Sequence, residues 1–316
     1  MKTKAFAATI LAIGLSAASA LAQQLPPLPK SIADHGVLRA GVRCDQPPYG
    51  FRGSDGGFAG VEVEMARQMA AWAFGSADKI DMQCVTADNR IPQLNAQRVD
   101  LLVATLGVTP ERARVIDFSD AYRWGGSDLL VKKDSPIRKL DDVRNRTVIM
   151  LRGTTQALWF DANMPGLQSL RLNTASDALQ ALQQDRGEAY AHDAATLIVI
   201  AARDPSLRLV GEPFAVSDAA VGLRKNEPQW AAWINAALAR MKAEGLYTAW
   251  LERWVPAEIR QPYTDAFMNG HFQLPLSVTR QDDGRYLATY ERPDGQVIQA
   301  VADDVAEANR RCMDTI

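Results

Sequence analysis

Residues 105–122 read TLGVTPERARVIDFSDAY, and no other stretch of the chain says as much about its fold. An apolar run at 101–104 comes directly before this segment and predicts a buried strand. Thr109 is a good N-cap, and Pro110 fits the first position of a helix. The segment therefore predicts a strand followed at once by a helix, the unit from which parallel sheets are built.

Arg112 lies in the first turn of this predicted helix, where a positive side chain faces the positive end of the helix dipole. A guanidinium beside free backbone N–H groups makes a site for a small anion, and it can hold a carboxylate through two parallel hydrogen bonds. The alternative is a surface arginine paired with Glu111 or Asp117. The segment alone does not separate these two interpretations.

The run from Asp117 to Tyr122 completes a pattern that resembles the periplasmic solute-binding proteins of the polar amino-acid class, bacterial extracellular solute-binding protein family 3. The resemblance extends from about Gly36 to Val255. It implies an α/β, type II periplasmic-binding-protein fold, in which two doubly wound sheets are joined by two hinge strands. It also implies a monomer that captures a polar L-amino acid, with an acidic amino acid as one candidate, between two closing lobes and delivers it to the permease of an ABC transporter in the inner membrane.

Strands and helices alternate along the chain, which predicts parallel sheets with helices on both faces. We expect the first lobe to comprise residues 31–128 and 217–258, and the second lobe residues 129–216. The apolar stretch 129–133 is predicted to cross between the lobes, and the chain is predicted to return through 213–216. Tryptophans at helical spacing in a long helical region, 229–254, predict core packing.

The composition changes after Pro262, and the family pattern has no counterpart for the tail. Alternation over 276–301 predicts two or three strands of a meander, and 303–313 has the pattern of a helix. Residues 265–316 are therefore predicted to form a small C-terminal β-β-α extension. Two roles are considered for this extension: a small module that packs against the rest of the protein, or a surface that binds a partner.

The first 22 residues have the pattern of a signal peptide for export to the periplasm. Two lysines precede an apolar run that is too short to span a membrane, and a small-residue cleavage site follows it. Removal of this segment moves the formal net charge from −2 to −4. That charge argues against nucleic-acid binding. No spacing suggests a metal, and we expect no cofactor.

Three cysteines are present, Cys44, Cys84 and Cys312. In an oxidising compartment an odd number leaves one thiol unpaired or available to a partner. Cys44 and Cys84 both follow strands predicted to be neighbours, which favours a disulfide between them; buried free thiols are the alternative. The state of Cys312 is left open.

Ligands in doubly wound sheets bind outside the carboxyl ends of the strands. A free amino acid needs a bidentate cation, a few neutral donors and one fixed carboxylate. We expect Arg112 to hold the α-carboxylate with help from Thr105 and Thr154. Asp193 is expected to accept the α-ammonium, as the resemblance also implies. For Thr154 and Asp193 the alternative is a helix N-cap.

Three further residues are candidates through the resemblance. Tyr49 stands where an aromatic usually covers the ligand's side chain. Arg43 ends the first predicted strand, where relatives that bind acidic amino acids can pair a basic residue with the second carboxylate; a bond to Asp45 or Asp88 is the alternative. Gly107 replaces a hydroxyl residue that many relatives have, so only its backbone N–H can donate to the ligand.

Two other functions remain open. Periplasmic dehydratases of cyclohexadienyl or prephenate type resemble these proteins and need a general acid near the leaving group. Glu62, Glu188 and His192 are candidates for this acid, although nothing in the sequence indicates that any of them points toward the ligand. Strand geometry predicts that the side chain of His192 faces away from that of Asp193. The other possibility is a sensory binding protein without transport. We expect a binding protein and not an enzyme.

Overall fold

The computed structural model describes residues 25–215, 218–268, 277–281, 283–291 and 297–303. These residues form two lobes, each with a five-stranded sheet covered by helices, and the two-lobed α/β fold predicted from the sequence is confirmed. Within these ranges, no helix has the length and apolarity needed to cross a membrane. The predicted signal peptide and Cys312 lie outside the described residues.

The described residues form sixteen strands. In chain order they are Leu38–Val42 (β1), Asp45–Gln46 (β2), Gly50–Arg52 (β3), Phe58–Ala59 (β4), Ile80–Cys84 (β5), Leu101–Val103 (β6), Asp117–Arg123 (β7), Ser127–Lys132 (β8), Val148–Leu151 (β9), Ser169–Leu172 (β10), Ala189–Asp193 (β11), Leu207–Leu209 (β12), Ala219–Leu223 (β13), Ser277–Arg280 (β14), Tyr286–Glu291 (β15) and Val297–Ala302 (β16).

The α-helices lie between these strands and at the end of the first lobe. They are Lys30–Ala33 (α1), Val61–Phe74 (α2), Arg90–Asn95 (α3), Pro110–Ala113 (α4), Thr155–Asn163 (α5), Ala175–Gln183 (α6), Ala194–Arg203 (α7), Pro228–Ala243 (α8), Leu246–Trp254 (α9) and Gln261–Met268 (α10). The long helical region predicted over 229–254 is thus two helices, because Gly245 takes a left-handed conformation with φ of 70° between them.

The sheets are mixed and not wholly parallel. The first lobe has the order β5-β1-β6-β13-β7, in which β5, β1 and β6 are parallel and β13 is antiparallel to both of its neighbours. The second lobe has the order β10-β9-β11-β8-β12, in which β8 is antiparallel to β11 and β12. The antiparallel strands β8 and β13 are those that adjoin the crossings between lobes.

The prediction that residues 129–133 cross between the lobes is wrong. Strand β8 pairs with β11 on one side and β12 on the other, and residues 128–131 are buried. A buried apolar run satisfies its backbone best inside a sheet, so it lies within the second lobe. The chain crosses at 124–126 and returns after Phe214, which pairs with Ser127.

The predicted start of the C-terminal extension at residue 265 is also wrong, because it falls inside α10. Tyr263 and Phe267 on this helix are buried and belong to the core of the first lobe. Beyond it, β14, β15 and β16 form an antiparallel meander, as predicted. The helix predicted over 303–313 lies outside the described residues, apart from Asp303.

Cys44 and Cys84 are joined by a disulfide, with their Cα atoms 5.6 Å apart. Val42 at the end of β1 lies opposite Cys84 at the end of β5, so Cys44 comes just beyond the paired residues. The disulfide holds together the carboxyl ends of two neighbouring strands. This end of the sheet faces the second lobe.

Candidate functional site

A cavity between the two lobes lies at the carboxyl ends of the strands, where the sequence predicted a ligand site. Traced by the centre of a water-sized sphere, its volume is about 30 Å³. Six of the seven predicted ligand-binding residues line it: Arg43, Thr105, Gly107, Arg112, Thr154 and Asp193. The cavity is narrow, so entry of an amino-acid-sized solute requires the lobes to separate.

Arg112 turns its side chain inward from the first turn of α4. The Thr109 hydroxyl accepts a hydrogen bond from the backbone N–H of Arg112 at 3.3 Å, so Thr109 is the predicted N-cap. The guanidinium donates to the Gly107 carbonyl at 2.6 Å and to the Gly153 carbonyl of the second lobe at 2.8 Å. Burial lowers the pKa of Arg112 to about 10, so the group remains a cation at neutral pH. The alternative pairing with Asp117 is absent, because Asp117 binds Lys225 at 2.8 Å.

Asp193 ends β11 on the opposite wall of the cavity. Its Oδ1 accepts from the Thr196 N–H at 3.3 Å, so it also caps α7. Its Oδ2 forms an ion pair with Arg123 Nη2 at 3.1 Å, and this pair joins the lobes. A carboxylate oxygen has two lone pairs, so these bonds leave acceptor capacity for a ligand. The two roles considered for Asp193 are therefore compatible.

Arg123 is a cavity residue that the sequence analysis missed. It ends β7 and is buried, with its guanidinium carbon 4.1 Å from the centre of the Tyr49 ring. Its position one residue beyond the 105–122 segment gave a usable signal, because it lies at the end of a strand. Burial disfavours its charge, but Asp193, the nearby tyrosines and Glu62 outweigh that effect and raise the pKa of Arg123 overall.

Tyr49 does not reach the cavity. Its side chain is fully buried in the core of the first lobe, beneath Arg123 and in contact with the rings of Tyr263 and Phe267. An aromatic ring enclosed by other rings is more stable there than beside a polar space. The structure therefore gives Tyr49 no ligand-covering position, and the same hairpin presents Gln46 to the cavity instead.

Gln46 carries an unused polar atom at the site. Its Nε2 donates to the Thr196 hydroxyl at 3.4 Å, across the gap between the lobes. Its Oε1 is buried and has no hydrogen-bond partner among the described residues. Leaving a buried acceptor unpaired costs about 1–3 kcal/mol, which a donor on a ligand could recover.

Thr154 and Gly153 bring the second lobe close to the first. The Thr154 hydroxyl donates to the Leu151 carbonyl at 2.8 Å and caps α5 by accepting from Ala157, so the N-cap alternative holds for it too. Gly153 has φ of 70°, and a Cβ there would lie 2.7 Å from Asp88 Cα. Only glycine allows this approach.

Glu62 is buried beneath the cavity and accepts several hydrogen bonds. The Thr105 N–H donates to it at 2.9 Å, the Thr105 hydroxyl at 3.0 Å and the Tyr122 hydroxyl at 2.6 Å. Burial raises the pKa of Glu62, whereas Arg123 and these bonds lower it. Through these bonds Glu62 holds Thr105 in position at the cavity wall. Glu188, another general-acid candidate, accepts from the Thr147 N–H at 2.8 Å and does not line the cavity.

Arg43 is buried at the cavity wall and pairs with Asp45 at 2.8 Å. Asp45 also accepts the N–H of Ala175 from the second lobe at 2.9 Å. One of the two alternative partners considered for Arg43 is therefore present. Asp88, the other, accepts from the hydroxyl of Thr86. Arg43 nonetheless faces the space where a ligand would bind.

His192 lines the cavity, which corrects the expectation that it faces away from Asp193. The strand ends at this point and the chain turns into α7, so simple alternation no longer applies. His192 Nδ1 accepts the Asp193 N–H at 2.7 Å, which leaves the proton on Nε2. Burial lowers the pKa of His192 to about 4, so the ring is a neutral donor at physiological pH.

The described residues contain no cluster of three or more histidine, cysteine or acidic side chains that could hold a metal ion. The charged groups at the cavity are instead arginines and one aspartate, with hydroxyl, amide and imidazole groups around them. This arrangement can hold a small solute that carries both an anionic and a cationic group.

Comparison with known proteins identifies the family. The ABC transporter glutamine-binding protein GlnH of Bacillus subtilis is 31% identical over 233 residues, which cover 72% of this chain and 85% of GlnH. The glutamate/aspartate import solute-binding protein of Escherichia coli K12 is 25% identical over 289 residues, which cover 87% of this chain and 94% of that protein. The crystal structure of the solute receptor for L-cysteine of Neisseria gonorrhoeae has a TM-score of 0.71 and 29% identity, over 74% of this chain and 95% of the receptor.

The family match covers the two lobes and the crossings between them. Residues 38–257 match the family described as bacterial extracellular solute-binding proteins, family 3. The matched region begins at the first residue of β1 and ends just after α9. The chain belongs to the family 3 bacterial extracellular solute-binding proteins.

Proposed function

We propose that this protein captures a polar L-amino acid in the periplasm and delivers it to an ABC importer of the inner membrane. The observation that carries the proposal is that Arg112 from the first lobe and Asp193 from the second line the same cavity. A cation and an anion on opposite walls match the two charges of a zwitterion. The relatives named for glutamine, cysteine and glutamate/aspartate bind solutes of this class.

Capture proceeds in two stages on this proposal. With the lobes apart, the α-carboxylate binds the Arg112 guanidinium, which has donors beyond the two that bond carbonyls. The Thr105 hydroxyl joins this contact only if it gives up its hydrogen bond to Glu62, because it has a single proton to donate. Closure then brings Asp193 to the α-ammonium and the backbone N–H of Thr154 to the carboxylate, since the Thr154 hydroxyl already donates to Leu151. Binding favours the closed form to the extent that the ligand contacts both lobes more strongly when they are together.

The geometry favours binding over catalysis. A dehydratase on this scaffold needs a general acid within reach of the bound solute. Among the three candidates, Glu62 is enclosed beneath the cavity and Glu188 bonds to a backbone N–H elsewhere. His192 reaches the cavity as a neutral ring, because its lowered pKa leaves it without an imidazolium proton to donate at neutral pH. We therefore expect no turnover of a prephenate-type acid.

A thermal-shift panel of the twenty amino acids on the full chain tests capture. A ligand at one hundred times its Kd should stabilise the protein by about 2.7 kcal/mol, which raises the unfolding temperature measurably. If no amino acid raises the midpoint of thermal unfolding and the protein consumes prephenate, the protein is a dehydratase and the proposal of amino-acid capture is wrong.

Export and transport are tested separately. The mass of the protein recovered from the periplasm should correspond to a chain that begins at residue 23. Deletion of the gene should abolish uptake of the radiolabelled ligand at low concentration. Uptake at an unchanged rate, with binding intact, would favour the sensory function without transport.

A further inference from the structure

Contacts between the lobes extend beyond the cavity. Helix α7 of the second lobe is capped by Asp193, and its Val199 is 2% exposed and belongs to the core cluster of the first lobe. Ala195 and Ile198 of α7 pack against the same cluster. None of these three apolar residues lines the cavity, so a ligand bound there does not contact them. The lobes thus share a buried apolar contact in which the ligand takes no part.

Helix α10 of the first lobe lies at this contact. The short 3₁₀ helix Ala257–Ile259, which leads into α10, lies against α7. The Tyr263 hydroxyl on α10 donates to the carbonyl of Ala195 in the first turn of α7. Burial and then the charge of Asp193 raise the pKa of Tyr263, so the hydroxyl keeps its proton and remains a donor at neutral pH. Helix α10 is therefore bonded directly to the helix that Asp193 caps.

The same helix holds the chain where it leaves the first lobe. The Ala266 carbonyl accepts the N–H of Trp124, the first residue of the crossing at 124–126, at 3.1 Å. Carbonyls in the last turn of a helix lack partners within the helix, and this bond satisfies one of them. Arg123 comes immediately before Trp124 and is one partner of the ion pair that joins the lobes. Because Tyr263 and Ala266 are three residues apart, a single turn of α10 bonds the chain beside both partners of that pair.

These contacts favour the closed arrangement of the lobes. A movement of α7 away from α10 breaks the Tyr263 hydrogen bond and returns the side chain of Val199 to water, and both changes disfavour the open form. The ligand makes neither contact, so the preference exists in its absence as well. The region that matches the family ends at residue 257, before α10 begins. Helix α10 is thus an addition to the two-lobed unit that the family match defines.

We propose that α10 is a clamp that populates the closed form before a ligand arrives, with Arg123 and Asp193 already paired across the cavity. The inference rests on the proposed function and adds a conformational step to it. The ligand-free protein exchanges between an open form and a clamped closed form, and the amino acid enters when α7 leaves the clamp. The clamp also slows release of the bound amino acid, because α7 must separate from α10 before the ligand can leave.

Spin labels on the two lobes measure the closed fraction directly. Arg114→Cys and Asp161→Cys place one label on an exposed residue of each lobe. Cys312→Ser in the same full chain leaves these two as the reactive thiols, since Cys44 and Cys84 are joined. Pulsed dipolar spectroscopy without ligand should give two distances, of which the shorter matches the closed structure. A single long distance in the ligand-free protein would overturn the proposal.

Tyr263→Phe combined with Val199→Ala releases the clamp in this labelled protein. Without ligand, the ratio of closed to open molecules should fall at least 10-fold, because the double variant loses both the hydrogen bond and the apolar contact. The dissociation rate of the amino acid identified by thermal shift should rise in parallel. If the double variant does not fold, Tyr263→Phe alone should lower the ratio about 5-fold. An unchanged ratio in a folded variant would show that α10 only completes the core.

Tyr247→Phe combined with Leu197→Val is the matched control. It removes a buried hydroxyl of α9 that has no partner among the described residues, and one methylene of α7 that packs in the core of the second lobe. The control should keep the closed-to-open ratio of the starting protein. An equal fall in both double variants would indicate general loosening and would contradict the clamp.

The clamp and the proposed function can fail separately, because the distances are measured without any amino acid. If no amino acid stabilises the protein, amino-acid capture is wrong, and the ligand-free distances still decide whether α10 holds the lobes together. If an amino acid binds and the ligand-free protein is always open, capture stands and the clamp is wrong.

Discussion

The two walls of the cavity have different chemistry. The wall from the first lobe supplies the guanidiniums of Arg43, Arg90, Arg112 and Arg123. The wall from the second lobe supplies Asp193 and uncharged groups, which are those of Ser127, Thr154, Thr155, Gln156 and His192. An anionic solute therefore meets its strongest attraction on the first lobe, and the second lobe completes the site through directional hydrogen bonds. The charged groups of the first lobe therefore attract the solute, and the hydrogen-bonding groups of the second lobe select its shape.

Arg112→Ala should have the largest effect, because it removes the α-carboxylate partner from the charged wall. A hydrogen-bonded charge pair lost from a buried site costs about 3 kcal/mol or more, which corresponds to at least a 100-fold loss of affinity. Titration calorimetry measures it. Arg114→Ala, an exposed neighbour on the same segment, is the control and should bind normally. A loss below 5-fold would show that the first wall does not hold the carboxylate.

Asp193→Asn tests the opposite wall. The variant should bind about 10- to 100-fold more weakly, and its unfolding free energy should fall by about 3 kcal/mol because Arg123 is left buried without its partner. Denaturant unfolding and calorimetry separate the two effects. Asp161→Asn breaks an exposed ion pair of the same lobe and should change neither quantity by much. If Asp193→Asn binds the amino acid with full affinity, Asp193 does not hold the ammonium group of the ligand.

Gly153→Ala tests how closely the walls must approach. The added methyl would meet the backbone of Ala87 and Asp88, so we expect about a 10-fold loss of affinity and a more open molecule by small-angle scattering. Gly166→Ala is the matched control, since Gly166 has φ of 86° and open space around it. Both variants should lose about 1–2 kcal/mol of stability to the left-handed backbone. Only Gly153→Ala should lose affinity.

Tyr263→Phe should have the smallest effect. The hydroxyl of Tyr263 on α10 donates to the Ala195 carbonyl at the start of α7, so it joins the first lobe to the second beside Asp193. Removing one hydrogen bond costs about 1 kcal/mol, or about 5-fold in affinity through a less stable closed form. Tyr247→Phe, which removes a buried hydroxyl without a partner among the described residues, should leave binding unchanged. The same response in both variants would mean that the hydroxyl of Tyr263 does not join the walls.

Much of the fold and part of the site were predictable because their signals are local. The cap at Thr109 and the strand before it placed Arg112 at the end of a sheet without any knowledge of the rest of the chain. Arg90 follows β5 and begins a helix in a similar way, so the same reasoning could have found it. It was overlooked because nothing nearby resembled a familiar motif.

Other features depend on contacts between distant residues, and the sequence could not supply them. Whether Tyr49 faces the ligand or the core depends on Phe267, which lies more than 200 positions away. The first crossing was misplaced for a related reason, since a buried strand beside a hinge has the same composition as a hinge strand. Asp193 could be assigned two roles from sequence, and only the packed structure allows both at once.

The place of α10 limits how the chain can be shortened. A version that ends at Ala257, where the family match stops, would keep every strand of both large sheets. It would nevertheless uncover the rings of Tyr49 and Tyr122, which Tyr263 and Phe267 now shield from water. The shortened protein would expose apolar aromatic surface directly beneath Arg123. We expect it to be less soluble than the full chain, because α10 no longer covers the core.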